Sequence, residues 1–159
     1  MRPNDDGMPV NGLSWVRGAR DEPLIEATIP TVLARTVDRM GDALAAVFVE
    51  QDIRRSWRDF AKDVDRLAAG FAALGLSKGD RVGIWSPNRY EWLLTQFATA
   101  RLGVILVTIN PAYRVSELEY ALRLTGCAAI VLSPAFRGSD YVAMLGEVAP
   151  ELASSNPGR

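Results

Sequence analysis

Residues 79–110, GDRVGIWSPNRYEWLLTQFATARLGVILVTIN, carry the pattern of one strand–helix–strand unit. The apolar run 81–86 has the length of a strand, and a Ser-Pro-Asn turn ends it. Apolar residues then recur at helical spacing until Gly103, a residue type that commonly ends helices in the left-handed conformation. The next run, 104–109, is apolar almost throughout and predicts a strand covered on both faces. Parallel strands need such a crossover connection, so this unit predicts an α/β fold.

The same order of elements recurs along the chain. Helices are predicted to end at Gly75, Gly103 and Gly126, and the strands that follow begin at residues 81, 104 and 128. These starts lie about two dozen residues apart, which is the spacing of successive βαβ crossovers. We therefore expect an α/β fold with a three-layer, mostly parallel sheet built from repeated βαβ units.

The residues ahead of this sheet predict a helix, a hairpin and a second helix. Residues 31–40 have the pattern of a short amphipathic helix, and residues 43–50 and 53–57 are expected to pair as an antiparallel hairpin. A longer helix is predicted from Ser56 or Trp57 to Leu74, with charged residues along its solvent side.

The predicted elements divide the chain into three parts. Residues 1–28 mix Pro, Gly, Asn, Asp and Arg without a period, which predicts an irregular leader. Residues 29–150 hold the sheet and its helices as one partial subdomain. Residues 151–159 are polar and predict a tail.

Helix starts are predicted at side chains that can accept from free backbone amides. Asn88 with Glu91, and Ser116 with Glu119, stand at the spacing of a capping box, and the last helix is expected to begin at Ser139. These polar groups are therefore expected to stabilise helix ends rather than to bind ligands.

The residue inventory excludes several kinds of chemistry. The chain has no histidine, which removes the commonest general base near neutral pH and any Ser/His/Asp triad. Cys127 is the only cysteine, and its apolar surroundings predict a small core residue. The formal net charge of −1 gives no case for nucleic acid, and no apolar run is long enough for a transmembrane segment. Since the first residues lack a signal-peptide pattern, we expect a cytoplasmic protein.

Ligands of open parallel sheets bind beyond the carboxyl ends of the strands. Here those ends carry residues 86–88, 108–111 and 133–134, which offer small polar groups beside helix N-termini. The glycine-rich loops of dinucleotide folds and of P-loops are absent from the turn 86–88. We therefore predict no catalytic, cofactor-binding or metal-binding residue in this chain.

The stretch 79–136 resembles the N-terminal part of adenylate-forming (AMP-binding) enzymes, and among them most closely the medium- and long-chain fatty acyl-CoA synthetases. The resemblance rests on these motifs: GDRV before the first strand, PN at its end, small residues before Gly103, NPAYR-x-x-EL-x-Y-x-L over residues 110–122, and the ending SPAF. The earlier helix and hairpin fit the same pattern, so the resemblance covers about residues 25–152.

This resemblance implies that the full enzyme uses ATP and Mg²⁺ to convert a fatty acid or another carboxylic acid to an acyl-adenylate, with release of pyrophosphate. Coenzyme A (CoA) then takes the acyl group as a thioester. The family's phosphate loop with its lysine, its adenine motif, its ribose-binding aspartate and its C-terminal catalytic lysine match no residue here. We therefore expect an N-terminal fragment that has no ligase activity and binds none of ATP, Mg²⁺ and CoA by itself.

Two other functions fit the same pattern. One is a stand-alone α/β interaction module whose edge strand pairs with a partner or with a second copy. The other is a small-ligand-binding domain that uses the strand-end loops at Asn88 and Asn110. A partial domain also leaves apolar faces uncovered, which predicts self-association through Trp85, Trp92 and the strand 104–109.

Overall fold

The computed structural model describes residues 23–156, in which five α-helices and seven short strands follow one another. The helices are α1 (Ile29–Met40), α2 (Trp57–Ala73), α3 (Tyr90–Leu102), α4 (Val115–Thr125) and α5 (Tyr141–Val148). The strands are β1 (Leu44–Phe48), β2 (Ile53–Ser56), β3 (Arg81–Trp85), β4 (Ile105–Thr108), β5 (Ala129–Leu132), β6 (Ala135–Phe136) and β7 (Ser139–Asp140), with 3₁₀ turns at Val49–Gln51 and Pro150–Ser154. Most of the predicted leader and the last residues of the predicted tail lie outside the described residues.

A three-stranded sheet with the order β4-β3-β5 lies at the centre of the fold. Both pairings are parallel, with Val82 opposite Leu106 on one side and opposite Ala129 on the other. The chain passes from β3 to β4 at one side of β3 and then crosses to β5 at the other side. The parallel sheet and the repeated βαβ units predicted from the sequence are thus confirmed.

Helices cover both faces of this sheet. On one face, Val82 packs with Phe71 of α2 and Ala98 of α3 in one hydrophobic cluster. On the other face, Trp85 packs with Leu118 of α4 and with Tyr141, Met144 and Leu145 of α5. Because Val82 and Trp85 lie an odd number of positions apart on β3, their side chains point to opposite faces. This arrangement gives the three layers expected.

A second, smaller assembly joins the sheet through α3. The antiparallel hairpin β1–β2 and helix α1 pack with α2 around Leu33, Phe60, Val64 and Tyr90. Helix α3 lies between this assembly and the sheet, because Leu93, Leu94 and Phe97 face the hairpin side while Ala98 faces the sheet. The single apolar stripe predicted for α3 therefore serves two clusters.

Strand β4 and Trp85 differ from their predicted environments. The prediction that β4 is covered on both faces is wrong, because the Ile105 side chain is 47% exposed. β4 also lies at an edge of the described sheet. The prediction that Trp85 is exposed is also wrong. Its ring stacks on Tyr141 with a centroid distance of 3.7 Å, and its Nε1 donates to the Asn110 carbonyl at 3.1 Å. Together with the rest of its hydrophobic cluster, these contacts leave Trp85 with no exposed surface.

The predicted cap at Asn88 is replaced by a contact from the hairpin. Helix α3 begins at Tyr90 with Arg89 as N-cap residue, so Asn88 lies one position too early. The Tyr90 amide donates to the side-chain Oε1 of Gln51 at 2.8 Å. The turn after β1 packs against the start of α3, and this tertiary contact supplies the acceptor that sequence spacing assigned to Asn88.

The starts of α4 and α5 are also displaced from their predicted positions. Glu117 rather than Glu119 reaches back, accepting from the Arg114 amide at 3.0 Å, so the predicted box of Ser116 with Glu119 is wrong. At α5 the cap is Asp140, whose Oδ1 accepts from the Ala143 amide at 2.9 Å, while Ser139 pairs in β7. The reason is that compact turns precede both helices and fix where each one begins.

The predicted helix ends are confirmed. Gly103 and Gly126 end α3 and α4 with φ angles of 73° and 60°, which a residue with a Cβ atom rarely adopts. Cys127 follows directly and is half-buried rather than fully buried, with its Sγ 3.2 Å from the Thr125 Oγ1.

Candidate functional site

The candidate site is a small cavity at the carboxyl ends of β3 and β5. The chain leaves β3 toward β4 on one side, whereas β5 lies on the other, so the connections diverge at this point of the sheet. Such a switch point is where open α/β sheets bind ligands. The cavity has a volume of about 140 Å³, and we call it the strand-end cavity. It is lined by Ile84, Ser86, Arg89, Glu91, Val131, Leu132, Ser133 and Pro134.

Two buried serines lie in its wall, and they differ in their hydrogen bonding. Ser86 donates its hydroxyl to the Pro87 carbonyl at 2.9 Å. Ser133 is only 6% exposed, and its hydroxyl has no hydrogen-bond partner among the described residues. Its backbone amide extends the sheet ladder by donating to the Trp85 carbonyl at 3.3 Å. Buried hydroxyl groups are rarely left without a partner, so Ser133 is the unusual group of this cavity.

Arg89 and Glu91 form the charged part of the strand-end cavity at the start of α3. The Nε atom of Arg89 donates to Glu91 Oε2 at 3.4 Å. The side-chain amide of Gln51 also donates to the Glu91 carboxylate, at 2.9 and 3.2 Å. Burial alone would raise the pKa of Glu91, but the Gln51 amide and Arg89 outweigh it, and the net pKa is lowered. Glu91 is therefore a carboxylate that already has donors around it.

A partly buried ionic cluster joins α2, β2 and α3 on the hairpin side. The Tyr90 hydroxyl donates to Asp63 Oδ2 at 2.8 Å, and Arg55 Nε donates to the same oxygen at 3.0 Å. Arg66 pairs with the other Asp63 oxygen at 3.3 Å. Burial first, and then the bond to Asp63, raise the pKa of Tyr90 well above its usual value. Tyr90 therefore stays protonated, and the cluster is suited to holding elements together rather than to proton transfer.

The two asparagines proposed as ligand groups do not share a pocket. Asn88 and Arg89 lie at a wide groove of about 640 Å³ formed mainly by the hairpin residues 47–51. Asn110 lies in the turn after β4, where its Oδ1 accepts from the Ala112 amide at 2.9 Å. The structure therefore does not bring Asn88 and Asn110 together, and it uses Asn110 to form a turn. The expectation of one small-ligand site at both loops is not met.

Sequence patterns located the carboxyl ends of the strands but not the side chains that form the strand-end cavity. Residues 86–88 and 133–134 were identified as strand ends, while Arg89, Glu91 and Gln51 carried no ligand signal. Ser133 looks in the sequence like an ordinary strand-ending serine before proline. Only the packing of β5 beside β3 buries its hydroxyl.

The strand order and the helices on both faces of the sheet define this chain as an open α/β domain. The chain belongs to the AMP-binding enzyme family, whose pattern matches residues 33–156. The resemblance to adenylate-forming enzymes stated from the sequence is thereby confirmed.

Named relatives are similar over nearly the whole chain. A protein of Danio rerio named medium-chain acyl-CoA ligase ACSF2, mitochondrial, is 44% identical over 155 residues, which are 98% of this chain and 26% of the relative. The putative acyl-CoA synthetase YngI of Bacillus subtilis is 38% identical over 136 residues, covering 86% of this chain and 25% of the relative. The chain thus spans about a quarter of the length of the relatives that it matches.

Solved structures share the fold. A putative long-chain-fatty-acid CoA ligase from Rhodopseudomonas palustris matches with a TM-score of 0.69 and 28% identity, over 79% of this chain and 30% of that chain. The N-terminal domain of FACL13 from Mycobacterium tuberculosis matches with a TM-score of 0.67 and 23% identity, over 80% of this chain and 30% of that chain.

None of the described helices has the length and apolarity that crossing a bilayer requires.

Proposed function

We propose that this chain is the N-terminal segment of a fatty acid–CoA ligase. The observation that carries the proposal is the 44% identity over 155 residues with a protein named as a medium-chain acyl-CoA ligase. The shared fold with the N-terminal domain of FACL13 supports the position of the segment within the longer enzyme.

In the proposed whole enzyme, a carboxylic acid reacts with ATP in the presence of Mg²⁺ to give an acyl-adenylate and pyrophosphate. CoA then takes the acyl group as a thioester. The activation is needed because a carboxylate oxygen is a poor leaving group, whereas adenylate is a good one. Positive charge must offset the charge that develops on the phosphates during this reaction.

We propose that the groups offsetting this charge lie outside the present chain. The cationic side chains support this view, because neither lysine lies at the carboxyl ends of the strands, and Arg89, which does, pairs with Glu91 at 3.4 Å. Lys62 pairs with Asp59 at 3.4 Å on the exposed side of α2. Lys78 packs beside Gly103, at the opposite end of β4. The segment then contributes the sheet and its strand ends, while ATP, Mg²⁺ and CoA bind elsewhere in the enzyme.

A pyrophosphate-release assay tests whether the isolated segment lacks ligase activity. The purified 159-residue chain is incubated with ATP, Mg²⁺, CoA and octanoate, and pyrophosphate is followed with a coupled enzyme system. We expect no release above the rate without protein, with the full-length Danio rerio relative, named as a medium-chain acyl-CoA ligase, as positive control. Turnover that depends on both ATP and the acid would contradict the proposed dependence on other parts of the enzyme.

We also propose that the isolated chain self-associates through β4 and α4. The open edge of β4 and the adjacent face of α4 support this, since Ile105, Tyr120 and Leu124 are 47%, 67% and 70% exposed. Tyr120 and Leu124 line an open groove of about 370 Å³ between the two elements. Exposed apolar edge strands can pair between two copies of a chain. The same surface of β4 and α4 would bind a partner if the chain were instead a stand-alone interaction module.

Light scattering coupled to gel filtration tests the self-association. We expect the wild-type chain to elute above its monomer mass of 17.4 kDa, and Ile105→Lys to shift it to the monomer. Val142→Lys is the matched control, because Val142 is 60% exposed on α5 beside the β6–β7 hairpin. A monomeric wild-type chain, or equal effects of the two substitutions, would exclude β4 as the interface.

Two further expectations stay predictions. The division into residues 1–28, 29–150 and 151–159 is tested by limited proteolysis, which we expect to cleave first within the two terminal parts. The cytoplasmic location is tested by fractionation of cells that produce the tagged protein. The ACSF2 relatives are named as mitochondrial. Recovery of the protein in an organelle fraction would contradict the predicted cytoplasmic location.

A further inference from the structure

We propose that the open edge of β5 and the groove beside it form a docking site for one parallel β-strand, supplied by the segment that follows this chain in the longer enzyme. The isolated chain then binds that segment even when it is added as a separate peptide. The identity of this partner rests on the proposed function, whereas its place rests on the topology of the described sheet.

The hand of the crossovers determines where a strand after α5 would lie. The connection from β3 to β4 passes through α3 on the face that carries Val82, and the connection from β4 to β5 passes through α4 on the face that carries Trp85. These two connections run in opposite directions over opposite faces, so they have the same hand. Crossovers between parallel strands are right-handed in nearly all proteins, and a further crossover is therefore expected to keep that hand.

Helix α5 is in the position of such a further crossover. The chain reaches it from β5 through the short β6–β7 hairpin, and α5 packs on the same face as α4. A connection of the same hand over the same face runs in the same direction across the sheet. A parallel strand that follows α5 is therefore expected beyond β5, which extends the order β4-β3-β5 by one strand at the β5 end.

The outer edge of β5 is open to receive this strand. Among the described strands, β5 pairs with β3 alone. All four residues of β5 are only partly buried, whereas four of the five residues of the central strand β3 are buried. The edge of a strand with one partner presents backbone N–H and C=O groups, to which a further strand can form hydrogen bonds.

An apolar groove of about 550 Å³ lies beside this edge. Leu67 and Gly70 of α2, Leu94 of α3 and Val131 of β5 line it. Leu67 and Val131 also pack against the hydrophobic cluster that contains Val82, so the groove is on that face of the sheet. Every second side chain of a strand added to β5 would point to the same face, and these side chains would enter the groove.

The charged residues at the groove favour an apolar partner. Arg55 and Arg66 pair with Asp63 at 3.0 and 3.3 Å, and the Glu91 carboxylate accepts from the Gln51 amide at 2.9 Å. Each charged side chain that lines the groove thus has a partner within the described residues. Binding is therefore expected to depend on backbone pairing and apolar contacts rather than on charge.

The length of the relatives provides the segment. This chain matches 26% of the Danio rerio relative, so most of that protein lies outside the match. If the chain is the N-terminal part of such an enzyme, that remainder follows it. The self-association proposed above uses the β4 edge at the other end of the sheet, so the two surfaces have different partners.

Fluorescence anisotropy with labelled peptides tests the docking site on the purified 159-residue chain. Loops seldom exceed about 15 residues and strands about 10. Overlapping peptides therefore cover about the first 30 residues that follow the matched segment of the Danio rerio relative. We expect one of them to bind with a dissociation constant of about 100 μM or lower, and its scrambled sequence to bind at least about tenfold more weakly. Binding by none of the peptides, or equal binding of the scrambled one, would overturn the proposal.

A pair of glycine substitutions locates the peptide. A Cβ atom at Gly70 or at Gly146 would have no atom within 4 Å, and both glycines are exposed on helices, but only Gly70 lines the groove. Gly70→Trp fills the groove and should weaken peptide binding at least about tenfold, while Gly146→Trp on α5 is the matched control and should not change it. Thermal melting confirms that both variants are folded. Equal affinities of the two variants would overturn the role of the groove.

A change at the opposite edge distinguishes the two open strands. Ile105→Lys alters β4 and should leave the affinity for the peptide unchanged. Loss of binding in this variant would place the peptide at β4 and overturn the proposal.

The peptide titration and thioester formation by a longer enzyme that carries this segment separate the two proposals. Absent peptide binding beside an active enzyme would overturn the docking site alone. Peptide binding beside an inactive enzyme would support the docking site and contradict the proposed function.

Discussion

The bond between Tyr90 of α3 and Asp63 of α2 is expected to be the strongest polar link between these two helices. Tyr90 is 4% exposed, and its hydroxyl donates to Asp63 Oδ2 at 2.8 Å. The Asp63 side chain is 17% exposed and also receives Arg55 at 3.0 Å and Arg66 at 3.3 Å. The perturbation is Tyr90→Phe, which removes one oxygen and preserves the ring contacts.

The expected loss follows from this geometry. A hydrogen bond to a charged acceptor contributes about 1.5–3 kcal/mol. Because Asp63 keeps both arginines, we expect Tyr90→Phe to lower the free energy of unfolding by about 1–2 kcal/mol. Asp63→Ala leaves the Tyr90 hydroxyl buried without its acceptor, so we expect a loss of about 3 kcal/mol. The double substitution should cost about 1–2 kcal/mol less than the sum of the two single losses.

Urea unfolding followed by tryptophan fluorescence measures all four proteins of this cycle. Tyr120→Phe is the control, because Tyr120 is 67% exposed and should change stability little. The pKa of Tyr90 is raised in the folded state. The protonated hydroxyl therefore contributes fully to folding stability below the ordinary pKa of 10.0, and this contribution is lost as pH rises through the folded-state pKa. Wild type should therefore lose stability more steeply above pH 10 than Tyr90→Phe. A coupling energy near zero, with equal alkaline profiles, would refute the cluster as a structural link.

Two further predictions concern packing and acid stability. Gly83→Val should lower the free energy of unfolding by about 1–3 kcal/mol, because a Cβ atom there would lie 3.1 Å from Ile109 Cδ1 in a filled core. Gly70 on α2 has no atom within 4 Å of such a Cβ position. Gly70→Ala should therefore be neutral or stabilising in the same denaturation assay. The backbone amide of Ser77, and then its hydroxyl, lower the pKa of Asp80. The contribution of Asp80 to folding stability is present above the unfolded pKa of 3.8 and is lost as pH falls through the lower folded-state pKa. Asp80→Asn should therefore reduce the fall in stability at acid pH. An unchanged acid dependence would contradict this prediction.

The sheet and its helices were predictable because their signals are local. Gly103 and Gly126 end helices with positive φ angles, and the apolar runs after them form the expected parallel strands. Pairing order is not a local property. The position of β4 at an edge, and the burial of Trp85 against Tyr141, depend on which strand lies in the centre. Sequence spacing carries no information on that order.

The capping contacts and the strand-end cavity show the same division. A capping-box pattern identifies side chains that are able to cap, but tertiary contacts decide which one does. Gln51 reaches the start of α3 from 39 positions away, and no spacing rule for one helix includes it. Ser133 is likewise unremarkable until β5 lies beside β3 and removes its access to water. Strand ends were therefore predictable as places, whereas the polar groups available there were not.

A segment exchange tests the central claim most directly. Residues 33–156 replace the matching segment in the full-length Danio rerio relative, and octanoyl-CoA formation is measured with ATP, Mg²⁺, CoA and octanoate. If this chain is the N-terminal segment of a fatty acid–CoA ligase, the exchanged enzyme forms the thioester, while deletion of the segment abolishes it. A folded exchanged enzyme that forms no thioester, beside an active parent, would contradict the account.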